Sequence, residues 1–170
     1  GDAGTTQLGD GSTLPKHHLR VASYGNVDEL SSVLGLALVH GVSERDADWL
    51  RRVQNDLFDV GSDLCVPGEA GEKLRITEGY STRLAVGIDE INAHLEPLNS
   101  FVLPGGAPAA GWLHFARTVC RRAERGVVEL YAQEEEGRGN GEVLKYRNRL
   151  ADLLFVLARA ANDGGRADVL

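Results

Sequence analysis

Apolar residues recur at steps of three and four along five stretches of the chain, the period of a helix with one buried face. The first runs from Asn26 to His40, with Val27, Leu30, Leu34 and Ala37 on one stripe. Asn26 with Glu29 three residues on approximates a capping box, and Gly41 closes the segment. Behind Ser43, a second stretch from Glu44 to Leu64 carries Trp49, Val53, Leu57, Val60 and Leu64. A third from Glu78 to Glu96 carries Tyr80, Leu84, Ile88, Ile91 and Leu95, and Pro97 ends it. The fourth starts at Pro108, a good first-turn proline, and reaches Gln133. The fifth, Glu142 to Asn162, carries Leu150, Leu153, Leu154, Leu157 and Ala161.

No stretch alternates as a strand would, so the fold class is all-α, and mostly short connections predict an up-and-down bundle. Residues 1–20 are polar and Gly-rich with no helical period, and His18 to Tyr24 could be extended. Cys65 to Arg75, and Glu134 through Gly141, read as surface loops. Fifteen of the 21 glycines fall outside the five helical stretches, so Gly here punctuates helices rather than signalling disorder.

Charge and composition narrow the function classes. The 170 residues carry a formal net charge of −7, which argues against a broadly basic nucleic-acid or membrane-surface binder. No apolar run approaches the ~20 residues of a membrane span. Cys65 and Cys120 form no metal or disulfide pattern, which fits a reducing, cytoplasmic compartment. The carboxylate-bridged di-iron reading fails, because Glu90 and His94 have the wrong spacing and no counterpart. The chain contains no Met, so the initiator and further residues are expected to precede Gly1.

The fourth stretch concentrates cations in this acidic chain. At ~100° per residue, Arg117, Arg121 and Arg125 share a face with Glu124, nearly opposite Trp112, Phe115, Val119, Ala123 and Leu130. Arg122 adds a fourth guanidinium. Of the 18 basic residues in the chain 15 are Arg, the side chain suited to bidentate phosphate or carboxylate recognition. The stripe fits a small anionic ligand or a neighbour's carboxylates; it equally fits a solvated helix face.

Other segments carry weaker signals. Gly1-Asp2-Ala3-Gly4-Thr5-Thr6 could offer backbone and hydroxyl donors to phosphate, with Lys16 as a nearby charge, or be a frayed terminus. Asp28 and Glu29 either favour a helix start or seek an Arg elsewhere. Asn148 and Asp152 share a helix face beside Arg147 and Arg149, either exposed or serving a buried site. Phe101, before the Pro104-Gly105-Gly106 turn, is a core plug or a side chain offered to an apolar ligand.

Six ordered segments together resemble the PduO-type ATP:cob(I)alamin adenosyltransferases. They are Gly1 to Thr6, Arg20-Val21-Ala22-Ser23-Tyr24-Gly25-Asn26-Val27-Asp28-Glu29-Leu30, Gln54 to Gly61, Ser100 to Gly106, His114 to Arg125, and Tyr146 to Phe155. The resemblance implies a five-helix bundle, ferritin-like in outline, occupying residues 1–170 as one domain. Its nucleotide-binding loop would span 1–24, the bundle 25–163 and a flexible tail 164–170. It implies a homotrimer with active sites between subunits, in which the cobalt of cob(I)alamin attacks C5′ of ATP to give adenosylcobalamin and triphosphate. Gly1, Thr5, Thr6, Lys16, Arg121, Arg122, Glu124, Arg125 and Asn148 would bind ATP, with Mg²⁺ travelling on the triphosphate. Arg117 would pair with Asp28 across the interface, and both would help form the cobalamin site. Phe101 would displace the lower axial base, and Asp152 would support the corrin site. A reductase and a cobalamin-dependent acceptor enzyme are implied as partners. Family members carry a short Thr/Arg-containing lead before the Gly-Asp pair, so part of the ATP loop is expected upstream of Gly1.

Two other classes fit the residues: a non-catalytic ATP- or cobalamin-carrying bundle, and a structural bundle whose Arg stripe is an oligomer contact. The first would release no triphosphate, and the second would show no thermal shift with ATP.

Overall fold

Helix formation starts earlier than the apolar stripe suggests. In the computed structural model, which describes residues 1–68, 73–135 and 137–170, helix α1 spans Leu19–Val39. The segment from His18 to Tyr24 is therefore not extended, and Asn26 is not a cap. His18 caps instead, its Nδ1 accepting from the Arg20 N–H at 3.1 Å. The early turns carry no apolar period because their buried side chains are polar. Arg20 donates from Nη1 to the Leu64 carbonyl (2.6 Å), an end-of-helix acceptor, and pairs through Nη2 with Glu134. Ser23 donates to the Leu19 and Gly126 carbonyls.

Four more helices follow: α2 (Glu44–Cys65), α3 (Glu78–Asn92), α4 (Pro108–Gln133) and α5 (Gly141–Ala161). Ser43 caps α2 as its sequence predicts, accepting from the Asp46 N–H at 3.2 Å. α3 ends four residues before the predicted Glu96. Beyond it the chain tightens into i→i+3 turns, and Glu96 donates its N–H to the Gly164 carbonyl at 2.9 Å. The connections 66–77 and 93–107 are long, not short. The expected loops at 69–72 and at Glu136 lie outside the described residues.

Around the bundle the helices neighbour one another in the order α2, α1, α4, α5, α3. Asp56 of α2 closes the ring. It accepts both bonds of Arg83 Nη2 from α3 (2.7 and 2.8 Å) and the Tyr146 hydroxyl of α5 (3.0 Å). The core is one cluster including Leu34, Val53, Leu84, Leu113, Cys120, Val127, Leu150 and Leu154. On α4 the buried seam is Leu113, Ala116, Cys120, Ala123, Val127 and Leu130. Trp112 is only partly buried and Phe115 is 47% exposed, so the apolar face sits further round than Trp112 and Phe115 suggest. Alanines at the seam hide it from a hydropathy reading.

The amino-terminal segment holds a small antiparallel hairpin that the all-α reading lacks: β1 (Thr5–Gln7) and β2 (Thr13–Pro15), with Thr6 opposite Leu14. Its tip is anchored by buried Leu8 and by the Gly9 N–H, which donates to Cys65 Sγ at 3.1 Å. The expected flexible tail is tied down: Asp168 pairs with Arg159 in the interior, and Val169 bridges Leu103. No described helix is long and apolar enough to cross a membrane.

Candidate active site

Small side chains bring α4 and α5 together. Ala123 and Ala151 are buried where the helices meet, and the Cys120 thiol donates to the Arg147 carbonyl at 3.5 Å. Burial pushes the Cys120 thiol up to about 12, so it stays protonated and serves packing. Close packing sets the polar edges of the two helices side by side. Arg117, Arg121 and Glu124 of α4, with Asn148, Ala151 and Asp152 of α5, line a cavity of about 340 Å³. Arg121 and Glu124 also line an adjoining groove of about 400 Å³, with Arg125, Val128, Glu129 and Ala132. The two form a continuous trough along α4.

Its arginines are matched in number by Glu124, Glu129 and Asp152 but are not engaged by them. Among the described residues, Arg117, Arg121 and Arg125 have no carboxylate within 4.0 Å. Asp152 is engaged by Arg149 at 3.1 Å on its own helix. Arg117 lies over the Phe155 ring, 5.4 Å from its centroid, which steadies the guanidinium without neutralising it. Guanidinium groups fixed along one trough, with an Asn amide beside them, suit a polyanion carrying a hydrogen-bonding head.

Arg122 does not join them. It turns to α1, donating to Asn26 Oδ1 (2.8 Å) and Glu29 Oε2 (2.6 Å), and lines neither cavity. Adjacency in sequence hides this, since the next residue on a helix points ~100° away.

Asp28 lies on a second face, which the hairpin tip also reaches. Asp28 is exposed and lines a groove of about 310 Å³ between α1 and α2, with Tyr24, Val27, Leu57, Phe58 and Cys65 among its walls. Phe58 is 73% exposed there. The hairpin tip sits on Cys65 at the end of this groove. Pairing of β1 with β2 places Thr5 opposite Pro15, and the Lys16 N–H donates to the Gly4 carbonyl at 2.8 Å, so Thr5, Thr6 and Lys16 share the open end of the hairpin with Gly1. Arg117 and Asp28 form no pair within the chain. Phe101 stands apart on the connection into α4, 93% exposed.

Two buried groups stand out: His114, which sequence reasoning did not single out, and Arg147, which it named only beside Asn148 with no role of its own. His114 is 3% exposed, with Nε2 unpartnered and its ring edge-on to Phe155 at 6.3 Å. Burial first, then the Arg117 charge, holds it below the usual imidazole range. Its place one turn before Arg117 was the available signal. Arg147 is 1% exposed, and among the described residues none of its three guanidinium nitrogens has a partner. Desolvation lowers it to about 10, so it remains a cation beneath the trough.

The comparisons with known proteins agree in kind. A family model for cobalamin adenosyltransferase matches residues 1–161. A corrinoid adenosyltransferase of Mycobacterium leprae is 46% identical, covering 100% of this chain and 91% of that protein. A cobalamin adenosyltransferase of Cupriavidus metallidurans is 47% identical, covering 100% and 90%. Among solved structures, a variant PduO-type ATP:corrinoid adenosyltransferase from Lactobacillus reuteri, complexed with cobalamin and ATP, superposes with a TM-score of 0.91 at 36% identity, covering 100% of this chain and 92% of that one. Bundle, trough and sequence similarity over the full chain converge on one conclusion: this chain belongs to the cobalamin adenosyltransferase family.

Proposed function

We propose that the chain transfers the 5′-deoxyadenosyl group of ATP to the cobalt of cob(I)alamin. The observation that carries this reading is the division of the expected ATP residues between two faces. Arg121, Glu124, Arg125 and Asn148 lie along the α4–α5 trough, whereas Thr5, Thr6 and Lys16 lie on the hairpin, whose tip meets Cys65 of the Asp28 groove. One chain thus holds two unlike halves. A homotrimer would join the trough of each subunit to the hairpin and Asp28 of the next, and Arg117 would meet Asp28 there. Exposed Phe58 beside Asp28 fits a surface covered by a neighbour.

In the reaction the cobalt lone pair forms the Co–C5′ bond as the C5′–O bond breaks, and the electron pair leaves with triphosphate. Arg121 and Arg125 meet the charge that develops on that leaving group, the largest contribution an enzyme site usually makes. Glu124 and Asn148 orient the nucleotide, and the interface holds the two large substrates in line. Arg122 takes no part in this version, being spent on α1. Phe101 would press on the lower face of the corrin and displace the axial base, leaving a four-coordinate cobalt that is easier to reduce; Asp152 would steady that site.

Mg²⁺ would be held chiefly by the triphosphate oxygens. Among the described residues no group of three His, Cys, Asp or Glu side chains is arranged as a cation cage, which is how Mg²⁺ commonly sits on nucleotides. A reductase supplying cob(I)alamin, an acceptor for adenosylcobalamin and a cytoplasmic setting belong to the same reading. Free Cys65 and Cys120 support that setting.

The test is an anaerobic spectral assay. Cob(I)alamin absorbance should fall on adding ATP and Mg²⁺, with one triphosphate released per corrinoid consumed. An unchanged spectrum would refute the enzyme, and binding without triphosphate would favour a carrier.

A further inference from the structure

The carboxyl-terminal segment is built into the fold in a way that the adenosyl transfer does not explain. Beyond α5 the chain doubles back. Gly165 donates to the Arg159 carbonyl (2.8 Å) and Ala167 to the Asn162 carbonyl (3.0 Å), with Asp163, Gly164 and Gly165 all at positive φ. This compact turn buries three polar side chains. Arg159 and Asp168 are 4% and 2% exposed and pair at 2.7 Å. Asn162 is 1% exposed.

Arg159 and Asn162 grip the connection that carries Phe101, and Asp168 joins them. Arg159 Nη2 donates to the Glu96 carbonyl at 2.6 Å, holding the start of that connection. Asn162 Oδ1 accepts from the Ala107 N–H (2.9 Å) and its Nδ2 donates to the Gly105 carbonyl (3.2 Å), holding the end. The amide also donates to Asp168 Oδ1 at 3.3 Å, linking the two grips. Between them the Leu103 N–H donates to the Val169 carbonyl at 2.7 Å. Gly106 allows the approach: its φ is +93°, and a Cβ there would stand 2.2 Å from Asn162 Oδ1.

A buried ion pair is a poor source of net stability, because desolvation offsets most of the Coulomb attraction. Here its geometry fixes both ends of one connection whose middle presents a Phe that is 93% exposed. We propose that Asn162 and the Arg159–Asp168 pair are positioning residues that hold Phe101 in the attitude needed to meet the corrin. This rests on the role given to Phe101 above.

The measurement is made on Asn162→Ala in the full chain. Amide exchange across residues 98–107 should speed up while the middle of α4 keeps its protection. The turnover number should fall about tenfold, as small misplacements near reacting atoms do, with KM for ATP within about twofold of the parent. The absorption signature of four-coordinate cob(II)alamin should weaken in step. Added to Phe101→Ala, the substitution should cost nothing further, since both act through one side chain. If Asn162→Ala does not fold, truncation after Asp168 removes the Leu103 tie to Val169, leaves the buried pair in place and should give the same pattern. Unchanged exchange over 98–107, or faster exchange with full turnover, would overturn the proposal. A slow Phe101→Ala beside a full-rate Asn162→Ala overturns the clasp alone, whereas a full-rate Phe101→Ala overturns the role of Phe101 and the clasp's purpose together.

Discussion

Arg122 of α4 pairs with Glu29 of α1 at 2.6 Å, while Arg121, its neighbour in the chain, lines an open trough and makes no ion pair among the described residues. One helix therefore uses adjacent guanidinium groups for two purposes, one to dock α1 and the other to face a ligand.

The two arginines should separate on mutation. Arg121→Ala should lower turnover by about 10²–10³, the usual loss for a group that stabilises transition-state charge, and leave the melting temperature nearly unchanged. Arg122→Ala should do the reverse on a small scale. Its pair with Glu29 is about half exposed, so about 0.2–1 kcal/mol of stability should go, with activity kept. Steady-state kinetics beside thermal unfolding checks both.

Arg147 is a buried cation without a hydrogen-bond partner among the described residues, and it should cost stability. Replacement by Met fills similar volume without a charge to desolvate. Exchanges of buried charge for apolar groups gain about 1–4 kcal/mol where they succeed, and a rise of several degrees in Tm is expected. Differential scanning calorimetry of Arg147→Met measures it. A fall in Tm would mean that the guanidinium has found a partner in the assembled protein.

His114 should make the protein sensitive to mild acid. Burial, then Arg117, holds its folded-state pKa below the unfolded value of about 6.5, and Asp168 from the carboxyl-terminal turn only partly opposes this. Between those two values the unfolded chain binds a proton that the folded chain refuses. Stability is thus complete above about pH 6.5 and declines as pH falls toward the folded value. Urea midpoints between about pH 7.5 and 5.5 should drop for the parent and flatten in His114→Gln, which cannot charge.

Assembly should depend on the α1–α2 face. Phe58 is 73% exposed beside Asp28, and Phe58→Glu would place a charge on the surface proposed to be covered by a neighbour. Light scattering should give a trimer mass for the parent and a monomer mass for this variant, with helical content unchanged by circular dichroism. A parent that is monomeric at assay concentration would remove the intersubunit site.

Much of this architecture was legible before any coordinates. The stripes through Val53, Leu57 and Val60, or Leu150, Leu154 and Leu157, have one period and one solution, because an amphipathic helix must bury its apolar face. The cations of α4 were legible as a set for the same reason. Less legible were places where polar groups do the packing. Arg20 and Ser23 give the first turns of α1 no apolar period, so the helix start was missed. Asn26 and Glu29 looked like a cap but serve Arg122. Ala116 and Ala123 carry too little hydrophobicity to mark the seam, and Phe115 carried too much.

What the sequence determined by itself was local: which segments are helical, that they form an all-α bundle, and that α4 bears an arginine face. Tertiary structure decided the sorting. It turned Arg122 across to α1, left Arg117, Arg121 and Arg125 unpaired on the α4 face that meets Asn148, put Asp28 and the hairpin on another face, and tied the Phe101 connection to Asn162 and Arg159. The reason is range. Periodicity reports contacts three or four residues apart, whereas the partners that settle these side chains lie from 27 to 96 residues away, as with Cys120 to Arg147 and Asn26 to Arg122.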